Sequence, residues 1–200
     1  MSKKHLLNFA LISALISSLL FSVVGFSKDC NEMYQNIIRI RVIANSNSTA
    51  DQELKLLVRD AVLNSSKTLF NAVNSYEDAV IATTENSNML LSAAKSSVFE
   101  NGYSYDVSLE FKEEYFPTRE YDDFSLPAGK YQTAVFTIGD GKGENWWCVI
   151  YPQVCVGSCS GKLNESLSAQ TANTAYNAKK YKVKFKTVEV FESVKKYFKF

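Results

Sequence analysis

Alternating apolar and charged residues mark the first predicted strand of the chain. Over residues 37–43, isoleucines and a valine alternate with Arg39 and Arg41, which is the two-residue period of a half-buried strand. Residues 45–48 contain only Asn and Ser and favour a turn. The pattern predicts a strand that presents both arginines on one exposed face.

The period then changes to that of a helix. Thr49 and Gln52 fit a capping box, and Asp51 lies in the first turn, where the helix dipole favours a carboxylate. Apolar residues follow at helical spacing, at positions 54, 57, 58, 61 and 62. These signals predict a helix from about 50 to 72, and similar ones predict a second helix over about 75–99.

The apolar pattern of the second half of the chain predicts mainly strands. Alternating or continuous apolar runs occur over residues 103–111, 130–138 and 145–151. With the first strand, they indicate an α+β fold in which two long helices pack on an antiparallel sheet of about four strands. Residues 181–200 begin as an alternating strand and turn helical, which predicts a C-terminal strand/helix tail.

Glycines 139, 141 and 143 connect the last two strands of the predicted sheet. In phosphate-binding loops such glycines lead into a helix, whose N-terminus holds the phosphate. Here they lead into an aromatic strand. We therefore interpret the segment as a hairpin connection in which the glycines adopt positive φ.

The N-terminus has the pattern of an export segment. Lys3 and Lys4 precede an apolar run over 6–26, which suits either a signal peptide cleaved after Ser27 or a retained membrane anchor. In both cases the rest of the chain lies outside the cytoplasm. The expected organisation is a targeting segment at 1–27, an α+β domain at 28–155, a polar linker at 156–180 and a basic strand/helix at 181–200.

Charge is distributed unevenly along the chain. Residues 28–178 carry 12 basic and 19 acidic side chains, whereas residues 179–200 carry eight lysines and two glutamates. An acidic body does not suit a nucleic-acid partner, which requires positive charge on the folded surface. The basic tail could contact an anionic membrane surface or an acidic partner, or it could simply be solvated.

The predicted exported part of the chain has no histidine. The only histidine is His5, inside the targeting segment, which excludes Ser-His-Asp and Cys-His nucleophiles and histidine-containing zinc sites. Adjacent acids such as Glu113 and Glu114 are common on solvated loops and do not by themselves indicate a glycosidase pair. The sequence predicts no enzymatic activity, metal or other cofactor.

The chain has four cysteines, which in an exported protein permit two disulfides. Cys148 and Cys155 flank Pro152 and form the first predicted pair, which leaves Cys30 with Cys159. Redox or zinc-binding roles have poorer spacing. A cysteine in a strand is also often a small buried apolar residue, and this alternative stays open.

Trp146 and Trp147 are neighbours on a predicted strand, so their side chains point to opposite faces of the sheet. Either both rings are covered, one by each layer, or one is an exposed anchor for a partner protein.

Three segments resemble the stage II sporulation protein R family. They are IIRIRVIANSNSTADQELKLLVRDAVL at 37–63, FPTREY at 116–121 and LPAGKYQTAVFTIGDGKGENWWCVIYPQVC at 126–155. The Asn/Ser/Thr-rich linker and Cys159 depart from the family pattern.

The resemblance implies a role in signalling between cells. Family members are made in the forespore and exported into the space between the forespore and mother-cell membranes. There they activate a membrane-embedded aspartic protease of the mother cell, which cleaves the inactive precursor of the mother-cell sigma factor. The expected protein is a signal for that protease and not a catalyst.

The resemblance assigns no contact residues, so the predicted partner surface depends on residue chemistry. Tryptophan and arginine are common binding hot spots. The surface is predicted to contain Arg39, Arg41, Asn45, Gly141, Gly143, Asn145, Trp146 and Trp147. The alternative for the arginines is ordinary ion pairing with the acidic body. The alternative functions are an exported thiol-disulfide protein and a membrane-surface scaffold.

Overall fold

The computed structural model describes residues 3–70, 73–121, 123–154 and 163–198. The helices are α1 (Lys3–Asn36), α2 (Thr49–Leu69), α3 (Tyr76–Glu85), α4 (Ser87–Glu100), α5 (Leu163–Ser166), α6 (Ala169–Tyr176) and α7 (Ala178–Phe198). The strands are β1 (Ile38–Ile43), β2 (Val107–Phe116), β3 (Arg119–Glu120), β4 (Ser125–Leu126), β5 (Gly129–Ile138) and β6 (Asn145–Tyr151). The predicted α+β class is confirmed.

Four strands form the central sheet in the order β2-β5-β1-β6. β2 pairs antiparallel with β5, and β6 pairs antiparallel with β1. β1 and β5 are parallel, however, because β5 inserts between β2 and β1 and runs in the same direction as β1. The expected sheet of about four strands is therefore present, but it is mostly and not wholly antiparallel. β3 and β4 form a separate two-stranded ladder.

The glycine-rich segment between β5 and β6 is not a hairpin. Because β5 and β6 lie on opposite sides of β1, residues 139–144 cross over the C-terminal end of β1. The hairpin prediction is wrong because two strands that are consecutive in this part of the sequence are separated in space by a strand formed much earlier. Gly139 and Gly141 do have positive φ, 55° and 61°.

One face of the sheet is covered by α2 and α4. Leu54, Val58 and Val62 of α2 share a single buried core with Ile40 and Phe136 of the sheet. The stripe predicted for α2 is therefore confirmed for these positions, although Leu57 is 43% exposed.

The helix cap of α2 lies one residue earlier than predicted. Ser48 is the N-cap, and its hydroxyl accepts a hydrogen bond from the Asp51 backbone N–H. Gln52 does not complete a capping box with Thr49; its side chain donates to the Ser46 carbonyl at 2.8 Å. The N-cap is therefore Ser48 and not Thr49, because the Ser46 carbonyl of the preceding turn accepts the hydrogen bond from the Gln52 side chain.

The second predicted helix is divided into α3 and α4 at Asn86. The Asn86 side chain donates to the Ala82 carbonyl at 2.9 Å, and its backbone N–H bonds to the last turn of α3. Asparagine side chains compete with the backbone for helical carbonyls, which explains a helix end in the middle of an otherwise helical pattern.

The opposite face of the sheet is covered by the end of α1, by α6 and by the segment around β4. Met33 of α1 and Ile37, which follows the helix, pack in one cluster with Leu126, Tyr131 and other apolar residues. This cluster is the second core of the protein.

Two carboxylates fasten α1 to α6 within this layer. Glu32 accepts hydrogen bonds from the Ser168 backbone N–H and from the Thr171 hydroxyl, and buried Asp29 accepts from Thr174 at 2.8 Å. Desolvation raises the pKa of Glu32, but the bonds from Thr171 and Ser168 outweigh it, and the pKa is lowered. The described part of the segment that was expected to be a polar linker forms α5 and α6, because small residues of α6 can pack closely on α1.

The C-terminal segment is helical where a strand was predicted. Ala178, Tyr181, Phe185 and Val188 lie at helical spacing and pack in a third cluster with Phe26 of α1. Apolar residues at 181 and 185 fit both periods. Contact with α1 selects the helix, in which Phe185 is 3% exposed and Val183 is 79% exposed.

The targeting and domain boundaries stay predictions, since the expected boundary after Ser27 falls within α1. Within the described ranges, no helix meets the combined length and hydropathy required to span a bilayer.

Candidate functional site

Arg39 and Arg41 do not form one exposed surface. Both side chains lie on the face of β1 opposite the α2–α4 core, but Arg39 is 0% exposed whereas Arg41 is partly exposed. The predicted exposure is therefore wrong for Arg39. The physical reason is distant in sequence, because aromatic side chains from β2 and β5 cover Arg39.

Arg39 lies in an aromatic cage. Its guanidinium carbon is 4.0 Å from the centre of the Phe116 ring and 5.1 Å from that of Tyr131. Its Nη2 donates to the Tyr121 hydroxyl, and its Nε donates to the Cys148 carbonyl at 3.5 Å. Cation–π contacts and these two hydrogen bonds replace part of the hydration that burial removes.

Arg41 takes part in a polar group on the partly exposed region of the same face. Its Nη1 donates to both carboxylate oxygens of Glu114 at 3.1 Å, across β5, and its Nε donates to Asn145 at 3.0 Å. This is the ion pair that the sequence analysis gave as the alternative for the arginines.

Asn45 belongs to a hydrogen-bond network and not to a free surface. Its side-chain oxygen accepts from the Asp140 backbone N–H at 2.9 Å, and its amide donates to Asp51 at 3.0 Å. Hydrogen bonds from Ser46 and Asn45 lower the pKa of the buried Asp51 carboxyl. The turn thereby ties β1, α2 and the 139–144 crossing together.

Gly141 and Gly143 have structural roles in the same network. Gly143 donates its backbone N–H to the Ala44 carbonyl at 2.9 Å, and a Cβ at this position would lie 2.3 Å from the Ser46 carbonyl oxygen. Gly141 has positive φ, and a Cβ there would lie 2.5 Å from a Thr137 methyl. Glycine is required at 143 because the crossing passes so close to the 44–47 turn, and at 141 because of the positive φ and the contact with Thr137.

The two tryptophans lie on opposite faces of the sheet, as predicted, and each contacts an arginine. Trp146 packs against the α2–α4 core, with Arg59 Cζ 4.9 Å from its ring. Trp147 packs against the second core, with Arg119 Cζ 3.8 Å from its ring. Both rings are partly exposed, so neither of the two alternatives for them applies fully.

The sequence analysis did not select Arg119 or Glu114 as site residues. Arg119 lies in FPTREY, a segment that was noted only for its family resemblance. Its contact with Trp147, 28 positions away, could not be predicted from the local sequence pattern, because β3 reaches Trp147 only in the folded chain. We call Arg41, Glu114, Arg119 and Trp147 the Trp147 surface.

Three buried polar groups near this region lack a hydrogen-bond partner among the described residues. They are Arg39 Nη1, the Thr118 hydroxyl and Trp147 Nε1. Buried polar atoms are usually paired. All three belong to residues of the Trp147 surface or its immediate neighbours.

The cysteines are only partly described. Cys148 is disulfide-bonded, whereas Cys30 is a buried thiol. The second predicted disulfide, Cys30 with Cys159, is therefore wrong. Cys30 instead packs in the third cluster beside Phe26 and Phe185. Cys155 and Cys159 lie outside the described residues, and the Cys148–Cys155 pairing stays a prediction. In the part of the chain that is described, no three His, Cys, Asp or Glu side chains form a group that could hold a metal ion.

Comparison with known proteins finds one family and one curated relative. The sequence model of stage II sporulation protein R matches residues 34–161, from the end of α1 through β6 and beyond. The chain is also similar to stage II sporulation protein R of Bacillus subtilis (strain 168), with 36% identity over 118 residues that cover 59% of this chain. Those residues cover 53% of the relative, so the match spans about half its length. No solved structure matches the chain.

Proposed function

We propose a signalling function on the premise that this chain belongs to the stage II sporulation protein R family, to which residues 34–161 match. The protein is a sporulation signal made in the forespore and exported into the space between the forespore and mother-cell membranes. There it activates a membrane-embedded aspartic protease of the mother cell, which then cleaves the mother-cell sigma-factor precursor.

The family match is the observation that carries this proposal. It includes the whole central sheet and the α2–α4 layer, but only the last residues of α1 and the β3–β4 segment from the opposite layer. The basic start and the apolar run of residues 6–26 support export.

A ligand is also the role that fits the chemistry of the matched residues. Three charged side chains of the matched motifs stabilise the fold: Arg39 is buried, Asp51 organises a turn, and Arg41 pairs with Glu114. A signal without catalytic activity requires a stable fold and an exposed surface for its partner. The Trp147 surface is our candidate for that exposed surface.

Reconstitution in a non-sporulating bacterial host tests the proposal. The full chain, the candidate protease and the sigma-factor precursor are co-expressed, and precursor cleavage is followed by immunoblot. We expect cleavage only when all three proteins are present. A chain that lacks residues 1–27 should accumulate but fail to trigger cleavage.

Two controls decide how the result is interpreted. A protease with its catalytic aspartate replaced by asparagine must abolish cleavage, which shows that the assay reports that enzyme. If the precursor remains intact although a competent protease and the exported protein are both present, direct activation of this protease is wrong.

A further inference from the structure

The chain contains four arginines, and they divide into two classes. Arg41 forms an ion pair with Glu114, and Arg59 forms one with Asp60 at 2.7 Å. Neither Arg39 nor Arg119 has a carboxylate partner among the described residues. The two unneutralised arginines lie on the same face of the sheet.

Arg39 and Arg119 are the ends of one continuous stack. Arg39 lies on the Phe116 ring at 4.0 Å, Phe116 meets Trp147 edge to face with ring centres 5.6 Å apart, and Arg119 lies on Trp147 at 3.8 Å. Arg39 is buried at one end, and Arg119 is exposed at the other. The stack therefore holds two positive charges, one buried and one exposed, and neither has a carboxylate partner among the described residues.

The unpaired donors add to this positive potential. Trp147 Nε1 and Arg39 Nη1 belong to the stack itself, and the Thr118 hydroxyl belongs to the residue before Arg119. A guanidinium that stacks on tryptophan is held in one plane while its N–H groups stay available at the edge. Arg119 is thus oriented to donate two parallel hydrogen bonds.

We propose that Arg119, oriented by Trp147, binds the carboxylate of an acidic residue on the partner protein. The planar carboxylate matches the two parallel donors of a guanidinium. The stacked guanidinium of Arg119 offers one planar pair of donors, so a single carboxylate on an otherwise neutral segment fits it better than a nucleic acid or a polyphosphate, which requires several cationic contacts. The inference rests on the proposed function only for the identity of the partner.

Carboxylate binding can be measured without the protease. The full chain is labelled with nitrogen-15, and the two indole N–H resonances are assigned with a Trp146→Phe variant. The probe is the blocked tripeptide acetyl-Leu-Glu-Leu-amide, the matched control is its glutamine analogue, and inorganic phosphate is the third ligand.

We expect a saturable shift of the Trp147 resonance with the glutamate peptide and none with the glutamine peptide. The Trp146 resonance should not move, because its arginine is already paired with Asp60. Arg119→Gln should remove the shift, which corresponds to an affinity at least about tenfold lower. Arg119→Lys should bind with intermediate affinity, since lysine keeps the charge but not the planar fork.

Two results would overturn the inference. One is a glutamate peptide that produces no saturable shift at Trp147, or one that still binds equally well after Arg119→Gln. The other is tighter binding of inorganic phosphate than of the glutamate peptide, which would replace the carboxylate with a phosphate ligand. Either result leaves the cleavage assay above unaffected, so the two proposals can fail separately.

Discussion

The two tryptophans of β6 have matched surroundings on opposite faces of the sheet, yet the faces differ in charge. Each ring carries an arginine, Arg59 on Trp146 and Arg119 on Trp147. Arg59 is neutralised by the adjacent Asp60, whereas Arg119 has no acid among the described residues. Residue types alone would rank the two Arg–Trp contacts equally as binding anchors. Only the presence or absence of a carboxylate on the arginine distinguishes them.

The same contrast extends into the two cores. The α2–α4 face is held by apolar residues such as Phe136 and Val58, which are fully buried. The core beneath the Trp147 surface includes the buried Arg39 guanidinium beside its aromatic residues. The first face therefore has a wholly apolar core, whereas the second combines a buried guanidinium with the exposed Arg119, the residue that we propose as the contact for a partner.

The largest expected effect is the loss of apolar packing on the α2–α4 face. Phe136→Ala should lower the free energy of unfolding by about 3–5 kcal/mol, because it removes a buried ring and leaves a cavity. Phe99→Ala is the control: its side chain is 81% exposed, and the change should cost no more than about 0.5 kcal/mol. Urea denaturation followed by circular dichroism measures both. Equal effects of the two substitutions would contradict the assignment of the core.

A smaller loss of stability is expected where the 139–144 crossing contacts the 44–47 turn. Gly143→Ala should cost about 1–3 kcal/mol, because its Cβ would meet backbone atoms of Ser46 that cannot move aside easily. Gly102→Ala separates this clash from backbone strain, since Gly102 has φ of 82° but open space around it. It should cost about 1 kcal/mol. Thermal unfolding of the two variants provides the comparison, and a harmless Gly143→Ala would show that the crossing is not tightly packed.

The hydrogen bonds between Asp51 and the 45–48 turn should make a pH-dependent contribution to stability. Asp51→Asn should cost about 1–2 kcal/mol at neutral pH, because the charged acceptor of Ser46 and Asn45 is lost. The pKa of Asp51 is lowered in the folded protein, so its stabilisation is complete above the unfolded pKa and is lost as the pH falls through the folded pKa. The difference between the two proteins should therefore narrow below about pH 4. A constant difference from pH 7 to pH 3 would contradict this sign.

The smallest effect on stability is expected at the buried arginine. Arg39→Met should leave the free energy of unfolding within about 1 kcal/mol of the wild-type value, because an apolar side chain of similar length replaces a buried charge that has no acid partner. Denaturation in guanidinium chloride measures this directly. A loss of several kcal/mol would show that the guanidinium is needed for the second core, and the distinction between the two faces would then weaken.

Local signals explain which parts of the fold could be predicted. Helix α2 follows from the buried stripe of Leu54, Val58 and Val62, and β1 follows from strict alternation around Arg39 and Arg41. Helix α2 packs on one side in the way that its pattern requires, whereas β1 is covered on both faces at Arg39. The opposite orientations of Trp146 and Trp147 follow from strand geometry alone.

Contacts between distant segments explain most of what could not be predicted. The parallel pairing of β1 with β5 and the crossing at 139–144 depend on where β5 inserts in the sheet. Burial of Arg39 depends on Phe116 and Tyr131, and the helical state of α7 depends on Phe26. The role of Arg119 depends on a tryptophan that β3 reaches only after folding.

The most direct test of the account compares Arg119→Gln with Arg59→Gln in the reconstituted cleavage assay, at equal levels of exported protein. Each substitution removes one arginine from one tryptophan, and both sites are on the surface. We predict that Arg119→Gln reduces precursor cleavage about tenfold and that Arg59→Gln leaves it at the wild-type level. Equal cleavage by both variants, or a defect confined to Arg59→Gln, would contradict the assignment of the partner to the Trp147 surface.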